Sequence, residues 1–156
     1  MHRWATALRT AHFPPERNFL EAHVTLFHAL PAQCEDEVID LCKAIVSEYA
    51  PVPAQLIGLM SLGAGTALKL ESPAMRDVRQ RIADHFLGML TQQDQHSPRL
   101  HVTIQNKVTS KVAKALQAEL NGAIEPRGFA FRGLGLFRYR GGPWEAVREF
   151  VFRGNH

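Results

Sequence analysis

Two short and similar stretches constrain this chain more than any other feature of its sequence. Residues 22–27 read Ala-His-Val-Thr-Leu-Phe, and residues 100–105 read Leu-His-Val-Thr-Ile-Gln. Because Val, Thr, Leu and Ile favour a pleated, half-buried backbone, we predict one strand over about 21–29 and another over about 99–107. Two strands with the same pattern of polar and apolar residues indicate a fold with an internal repeat.

Each predicted strand carries an imidazole and a hydroxyl on the same face. Successive side chains of a strand point to opposite faces, which groups His23 with Thr25 and His101 with Thr103. The opposite faces are apolar and can seat the strands on a core. If the strands lie against each other, the four polar side chains line one cavity and are suited to acid/base chemistry on a phosphate. The alternative is two ordinary strands with exposed polar faces.

Prolines, glycines and helix caps divide the chain into the order helix, motif strand, helix, strand and strand, and this order occurs twice. The predicted ranges are 3–12, 21–29, 33–49, 55–62 and 66–71, and then 73–90, 99–107, 110–120, 128–140 and 144–153. We therefore predict one α+β domain over 1–156, built by internal duplication. Its two pseudo-symmetric lobes, about 1–72 and 73–156, would have mainly antiparallel sheets, outer helices and a central cleft.

The composition is that of a globular protein with a slightly basic surface. Of 156 residues, 46% are hydrophobic and 21% are charged, and the net charge of +3 suits an anionic partner. No apolar run approaches the roughly 18 residues of a membrane-spanning helix, and polar residues interrupt the N-terminus too early for a signal peptide. We therefore expect a cytoplasmic protein that does not bind membranes. Cys34 and Cys42 lie too far apart on one predicted helix to form a disulfide.

The two His-x-Thr-x motifs, at residues 23–26 and 101–104, resemble the paired motifs of the two-histidine phosphoesterase superfamily. This superfamily includes the bacterial 2′-5′ RNA ligase/RNA 2′,3′-cyclic phosphodiesterase proteins, and the resemblance extends over nearly the whole chain to the segment 139–144. The resemblance implies a bilobal α+β architecture. It also implies a mechanism in which the two histidines transfer protons and the two threonines bind the phosphate oxygens.

Five further residues are predicted to contact a substrate. Phe27 and Gln105 share the faces of the two motifs, so Phe27 could stack on a base and Gln105 could bond to ribose or phosphate. Tyr139, Arg140 and Trp144 surround a Gly-Gly-Pro turn in a segment where basic and aromatic residues alternate, a composition suited to nucleotides. Core packing remains an alternative for Phe27. For the turn, the alternative is a hairpin with a packed aromatic face and a solvated basic face.

The sequence predicts no metal and no other cofactor, because it lacks the common metal-binding motifs. A metal site formed by His23, His28, His96 and His101 is the alternative. It is disfavoured because His23 and His28 would face opposite sides of a strand, and because His96 falls in a polar loop.

The resemblance implies a metal-independent hydrolase that opens 2′,3′-cyclic phosphodiesters on RNA ends or nucleotides, with 2′-5′ RNA ligase activity as the reverse transfer. Another cyclic nucleotide phosphate, or a cyclic ADP-ribose product, is an alternative substrate for the same chemistry. A binding module that holds a nucleotide or RNA end in the same cleft without turnover is the alternative function. We expect a monomer without an obligate protein partner.

Overall fold

The structure is a computed structural model that describes all 156 residues. Its four helices are α1 (His2–His12), α2 (Glu35–Glu48), α3 (Pro73–His85) and α4 (Ser110–Leu120). Its six strands are β1 (Val52–Ser61), β2 (Thr66–Glu71), β3 (His101–Gln105), β4 (Arg127–Phe131), β5 (Gly133–Tyr139) and β6 (Trp144–Val151). The predicted α+β class with antiparallel sheets is confirmed, whereas the internal duplication remains a prediction.

The chain folds into two compact units, and each unit combines three separate segments. The first unit contains Met1–Thr25, Gln55–Glu71 and Arg99–Phe129. The second unit contains Leu26–Ala54, Ser72–Pro98 and Ala130–His156. The predicted division into two lobes, about 1–72 and 73–156, remains a prediction.

In the first unit, α1 and α4 pack on an antiparallel sheet with the strand order β3-β2-β1-β4. A hairpin joins β1 to β2, with Ser61 opposite Thr66, and β2 pairs with β3 on its other side. Helix α4 begins after Thr109, whose side chain accepts a hydrogen bond from the backbone N–H of Val112 (3.2 Å). The sheet and α4 bury an apolar core: Leu56, Ala67, Leu68, Leu70, Leu100, Val102, Ile104, Ala113 and Leu116.

In the second unit, α2 packs on the hairpin formed by β5 and β6, and hydrogen bonds from Arg81 to Glu48 and between His85 and Glu37 join α3 to α2. Ser72 caps α3 by accepting a hydrogen bond from the Met75 N–H (3.1 Å), and Pro73 occupies the first helical position, as predicted. The backbone N–H of Gly154 donates to the Tyr49 carbonyl (2.8 Å) and ties the C-terminal segment to the end of α2. The core of this unit includes Val38, Cys42, Ile45, Val46, Val78, Ile82, Phe86, Phe150 and Phe152.

The predicted strand over 21–29 is wrong, because this segment forms no ladder with another strand. Side chains instead accept hydrogen bonds from three of its backbone N–H groups. The Ala22 N–H donates to Thr6 Oγ1 (3.1 Å), and the N–H groups of His28 and Ala29 donate to the Asp94 carboxylate (3.0 Å). Donors that bind side chains in this way are not available to a neighbouring strand.

Two predicted boundaries also differ from the structure. The strand predicted over 128–140 is two strands, β4 and β5, which belong to different sheets and separate at Arg132. Just after this point the backbone of Gly133 lies so close to the backbone of Phe150 that a Cβ at position 133 would be 1.9 Å from the Phe150 carbonyl oxygen. The helix predicted over 73–90 ends at His85.

Both cysteines are free, as the sequence predicts. The longest helix, α2, has 14 residues, and none of the four is long and apolar enough to cross a membrane.

Candidate active site

The four motif side chains predicted to be catalytic all belong to the first unit. The second motif forms β3 as predicted, with Val102 and Ile104 buried in the core and His101 and Thr103 half-buried on the opposite face. The first motif keeps this alternation without pairing. His23 and Thr25 are exposed there, and the apolar residues beside them are half-buried. The sequence period therefore predicts the face of each side chain correctly, even where the strand is absent.

The two imidazoles are held in the same way. His23 Nδ1 lies 2.7 Å from the Glu21 carbonyl oxygen, and His101 Nδ1 lies 2.6 Å from the Arg99 carbonyl oxygen, two residues back in both cases. A carbonyl oxygen only accepts, so Nδ1 must donate in both rings. The proton of each neutral ring is therefore on Nδ1, and Nε2 carries the lone pair. Neither Nε2 bonds to a protein group, so both are available to exchange a proton with a ligand.

The surroundings of His23 favour its neutral form. Although the residue as a whole is exposed, partial desolvation of its ring is the largest influence and lowers the pKa of this imidazole, while the hydrogen bond to the Glu21 carbonyl opposes that effect. The positive charges of Arg9 and His101 lower the pKa of His23 further.

The two threonines leave their hydroxyl groups available. Thr25 is exposed and Thr103 half-buried, and neither hydroxyl bonds to another protein group. Two imidazoles with free Nε2 atoms and two free hydroxyls can together transfer protons and donate hydrogen bonds to a tetrahedral anion.

Arg9 is a residue of this site that the sequence analysis missed. It lies on α1 with only 5% of its surface exposed, and its Nη1 donates to the backbone carbonyl of Thr103 (2.8 Å). Its Nε donates to Asn18 Oδ1 (3.1 Å) and to the Leu20 carbonyl (3.0 Å), just before the first motif. One signal was present in the sequence, because Arg9 follows the buried Ala5 by four residues and thus lies in the buried stripe of α1.

Gln105 does not occupy the exposed position that we predicted. It is 3% exposed, and its Oε1 accepts a hydrogen bond from the buried Thr66 hydroxyl (3.1 Å). The reason is a bulge, since Thr66 pairs with Gln105 whereas Ala67 pairs with Thr103. The bulge places Ile104 and Gln105 both inside, which breaks the strand alternation at its last residue. The predicted exposure of Gln105 is therefore wrong, and its contact with ribose or phosphate remains a prediction.

Phe27 lies in the second unit and packs against a buried arginine. The Arg79 guanidinium carbon lies 4.4 Å from the centre of the Phe27 ring, and the Arg79 side chain also donates to the Asp94 backbone carbonyl. This cation–π contact corresponds to the packing alternative for Phe27. The ring is half-buried, so its role in substrate binding remains a prediction.

The other three predicted substrate contacts surround the tip of the β5–β6 hairpin in the second unit. Tyr139 and Trp144 face each other across the hairpin with ring centres 4.9 Å apart, and they are 63% and 39% exposed. Arg140 is exposed and its Nε donates to Glu145 (2.6 Å). The aromatic pair thus forms an accessible surface, while a neighbouring carboxylate already neutralises the arginine.

The histidines of the alternative metal site have other roles in the structure. His28 Nδ1 lies 3.0 Å from the buried carboxylate of Asp94 in the second unit, and His96 is exposed in a loop. No three His, Cys, Asp or Glu side chains are grouped in a way that could hold a metal ion.

Residues 1–143 match the family model of the 2′-5′ RNA ligase superfamily. The chain is also similar to a solved structure, the crystal structure of TT0787 of Thermus thermophilus. The two share 17% sequence identity with a TM-score of 0.64, over all of this chain and 95% of that one. This likeness establishes a shared fold. No curated protein matches the sequence.

Proposed function

Because the chain belongs to the 2′-5′ RNA ligase superfamily, we propose that it is a metal-independent phosphoesterase that hydrolyses 2′,3′-cyclic phosphodiesters on RNA ends or nucleotides. The observation that carries this proposal is the matched pair of imidazoles. His23 and His101 each donate from Nδ1 to the carbonyl two residues back, and each leaves Nε2 free. A reaction that needs one base and one acid can use two rings held in this way.

The reaction adds one water molecule across one P–O bond of the cyclic diester. Nε2 of neutral His23 takes a proton from the water as the water oxygen bonds to phosphorus. The bond from phosphorus to the 2′ or 3′ oxygen breaks, and Nε2 of protonated His101 donates its proton to that oxygen. The product is a 3′- or 2′-monophosphate, and the two rings have exchanged protonation states. We assign the base to His23 because its surroundings favour the neutral form.

The hydroxyls of Thr25 and Thr103 donate hydrogen bonds to the non-bridging oxygens, where negative charge increases in the transition state. With a ribose 5′-hydroxyl in place of water, the same steps join two RNA ends through a 2′-5′ linkage, and this transfer is reversible. The hydrolase and ligase reactions therefore need the same four side chains.

We propose RNA ends or cyclic nucleotides as the substrate. The candidate contacts outside the motifs are Phe27, Tyr139, Arg140 and Trp144, because accessible rings can stack on bases and an arginine can approach a phosphate. The same proposal describes a cytoplasmic monomer that needs no cofactor and no obligate protein partner.

The test is release of monophosphate from 2′,3′-cyclic nucleotides in the presence of EDTA. We expect turnover by the native protein and a loss on the order of 10²-fold or more in His23→Ala and in His101→Ala, because each removes one proton-transfer group. His96→Ala is the matched control, since it removes an exposed loop histidine and should leave turnover unchanged. Turnover should follow a bell-shaped pH profile.

Two results would contradict the proposal. Turnover that EDTA abolishes would show that a metal supplies the chemistry. Cyclic nucleotides that bind to the native protein and remain intact after long incubation would favour the binding module instead.

A further inference from the structure

We infer that Arg9 is a positioning residue that fixes the two motifs of the first unit relative to each other. This inference rests on the proposed function of the four motif side chains. The guanidinium connects three parts of the unit: helix α1, the segment before His23, and the backbone of β3 at Thr103. It does not itself reach into the reaction. Its role is to fix the relative position of groups that do.

Burying the charged side chain of Arg9 costs free energy of desolvation, which a side chain that only fills space would avoid. The residue is buried, the ring of Phe13 lies 4.2 Å from its guanidinium carbon, and burial lowers its pKa. Its three hydrogen bonds all go to neutral oxygens, and no carboxylate forms an ion pair with it. A leucine or methionine would fill this volume without the desolvation cost. What only arginine provides here is a planar guanidinium group with several N–H donors.

The acceptors of Arg9 lie beside the reacting groups. Thr103 is one of the two predicted phosphate-binding residues, and β3 is an edge strand whose outer carbonyl groups have no neighbouring strand. Leu20 lies three residues before His23, in a segment that has no ladder of its own. The first motif thus obtains part of its position from α1, and Arg9 joins the same helix to the second motif.

The charge of Arg9 also acts on the nearest imidazole. Among the groups around His23, Arg9 on α1 and His101 on β3 both favour the neutral ring, and the Glu21 carbonyl favours the charged ring. The Glu21 carboxylate faces His2 at 3.4 Å. Removing the Arg9 charge therefore raises the pKa of His23, an effect that a purely space-filling residue at this position would not have.

Arg9→Met and Arg9→Lys separate the two contributions. The methionine variant loses both the positive charge and the N–H donors of the guanidinium, whereas the lysine variant keeps a positive charge but loses the planar set of donors. Asn18→Ala is a milder third variant, because it removes only one acceptor and leaves the arginine in place. Arg79→Met is the matched control, since it removes a buried arginine that stacks on a phenylalanine in the second unit.

Three measurements are made on each protein, at a temperature well below its unfolding midpoint: kcat and KM for a 2′,3′-cyclic mononucleotide, NMR titration of the ring signals of His23 and His101, and thermal unfolding. We expect kcat to fall on the order of 10²-fold in both Arg9 variants, because a misplacement of about 1 Å has this effect on a catalytic group. In Asn18→Ala, kcat should fall less and in the same direction.

The pKa of His23 should rise in Arg9→Met and stay near the native value in Arg9→Lys. In Arg79→Met, the unfolding midpoint should fall while the ring signals of both histidines stay at their native positions.

The inference is overturned if both Arg9 variants keep kcat within about threefold of native, or if the ring signals and the His23 titration do not change in Arg9→Met. A native protein without turnover would defeat the proposed function alone. In that case the His23 titration and the ring signals still decide whether Arg9 positions the two motifs.

Discussion

Gly65 fixes the distance between the hairpin turn and the second motif strand. A Cβ at this position would lie 2.1 Å from the Gln105 carbonyl oxygen and 2.7 Å from Asn106 Cα, both of which belong to the backbone. Ordinary contacts of this kind are 3.4 Å or longer. Gly65→Ala therefore requires the two backbones to separate by roughly an ångström, and overpacking of a buried site costs about 2–3 kcal/mol. We expect the unfolding midpoint to fall by about 5–10 °C.

The effect should also reach the reaction, because Gln105 ends the strand that carries His101 and Thr103. We expect kcat for a 2′,3′-cyclic nucleotide to fall on the order of 10²-fold in Gly65→Ala. The assays are a thermal melt followed by circular dichroism and a turnover measurement on the folded variant.

Gly142→Ala is the matched control, because a Cβ there meets no atom within 4 Å. This variant should unfold within about 1 °C of native or slightly above it. The reasoning is refuted if the two alanine variants unfold at the same temperature.

Three further predictions concern the hydroxyls, the buried carboxylate and the titration of the first histidine. Thr25→Val and Thr103→Val should each lower kcat on the order of 10²-fold by removing a donor to the phosphate, and serine at either position should restore most of the activity. Asp94→Asn should lower the free energy of unfolding by about 1.5–3 kcal/mol, measured by urea titration at pH 7, because the ionised carboxylate accepts bonds from His28 and Ala29. Burial opposes ionisation of Asp94, but these bonds outweigh it and lower the pKa, so the native protein should lose this stability as the pH falls through the folded pKa of Asp94. The free energy of unfolding of the native protein should rise as the pH increases from 5 to 8, because the unfolded chain binds a proton to His23 below about pH 6.5 whereas the folded ring has a lowered pKa. His23→Gln should reduce this rise. The last prediction is contradicted if the free energy of unfolding changes equally between pH 5 and 8 in the native protein and the variant.

The second motif illustrates what the sequence is able to predict. The apolar residues Val102 and Ile104 alternate with His101 and Thr103 and are buried, so the period of two predicts both the strand and its polar face. This local pattern is sufficient because a neighbouring strand, β2, pairs with β3.

The first motif has the same pattern without forming a strand, and the backbone donors that flank it, at Ala22, His28 and Ala29, bind side chains far away in the sequence. The acceptors are Thr6, 16 residues before Ala22, and Asp94, 66 residues after His28. No local pattern indicates such partners. The same limit explains Gln105, whose burial depends on a bulge between strands, and Arg9, whose partners lie in two other segments.

The interleaving of the two units has a consequence for synthesis of the protein. Neither unit is contiguous in the chain, and the first one needs Met1–Thr25, Gln55–Glu71 and Arg99–Phe129 together. A nascent chain on the ribosome cannot complete this unit until residue 129 has emerged, so the histidine pair forms only after most of the protein has been translated. Pairing segments this distant also closes large loops, which slows folding. Until then the N-terminal segments lack the partners that bury their apolar side chains in the folded protein.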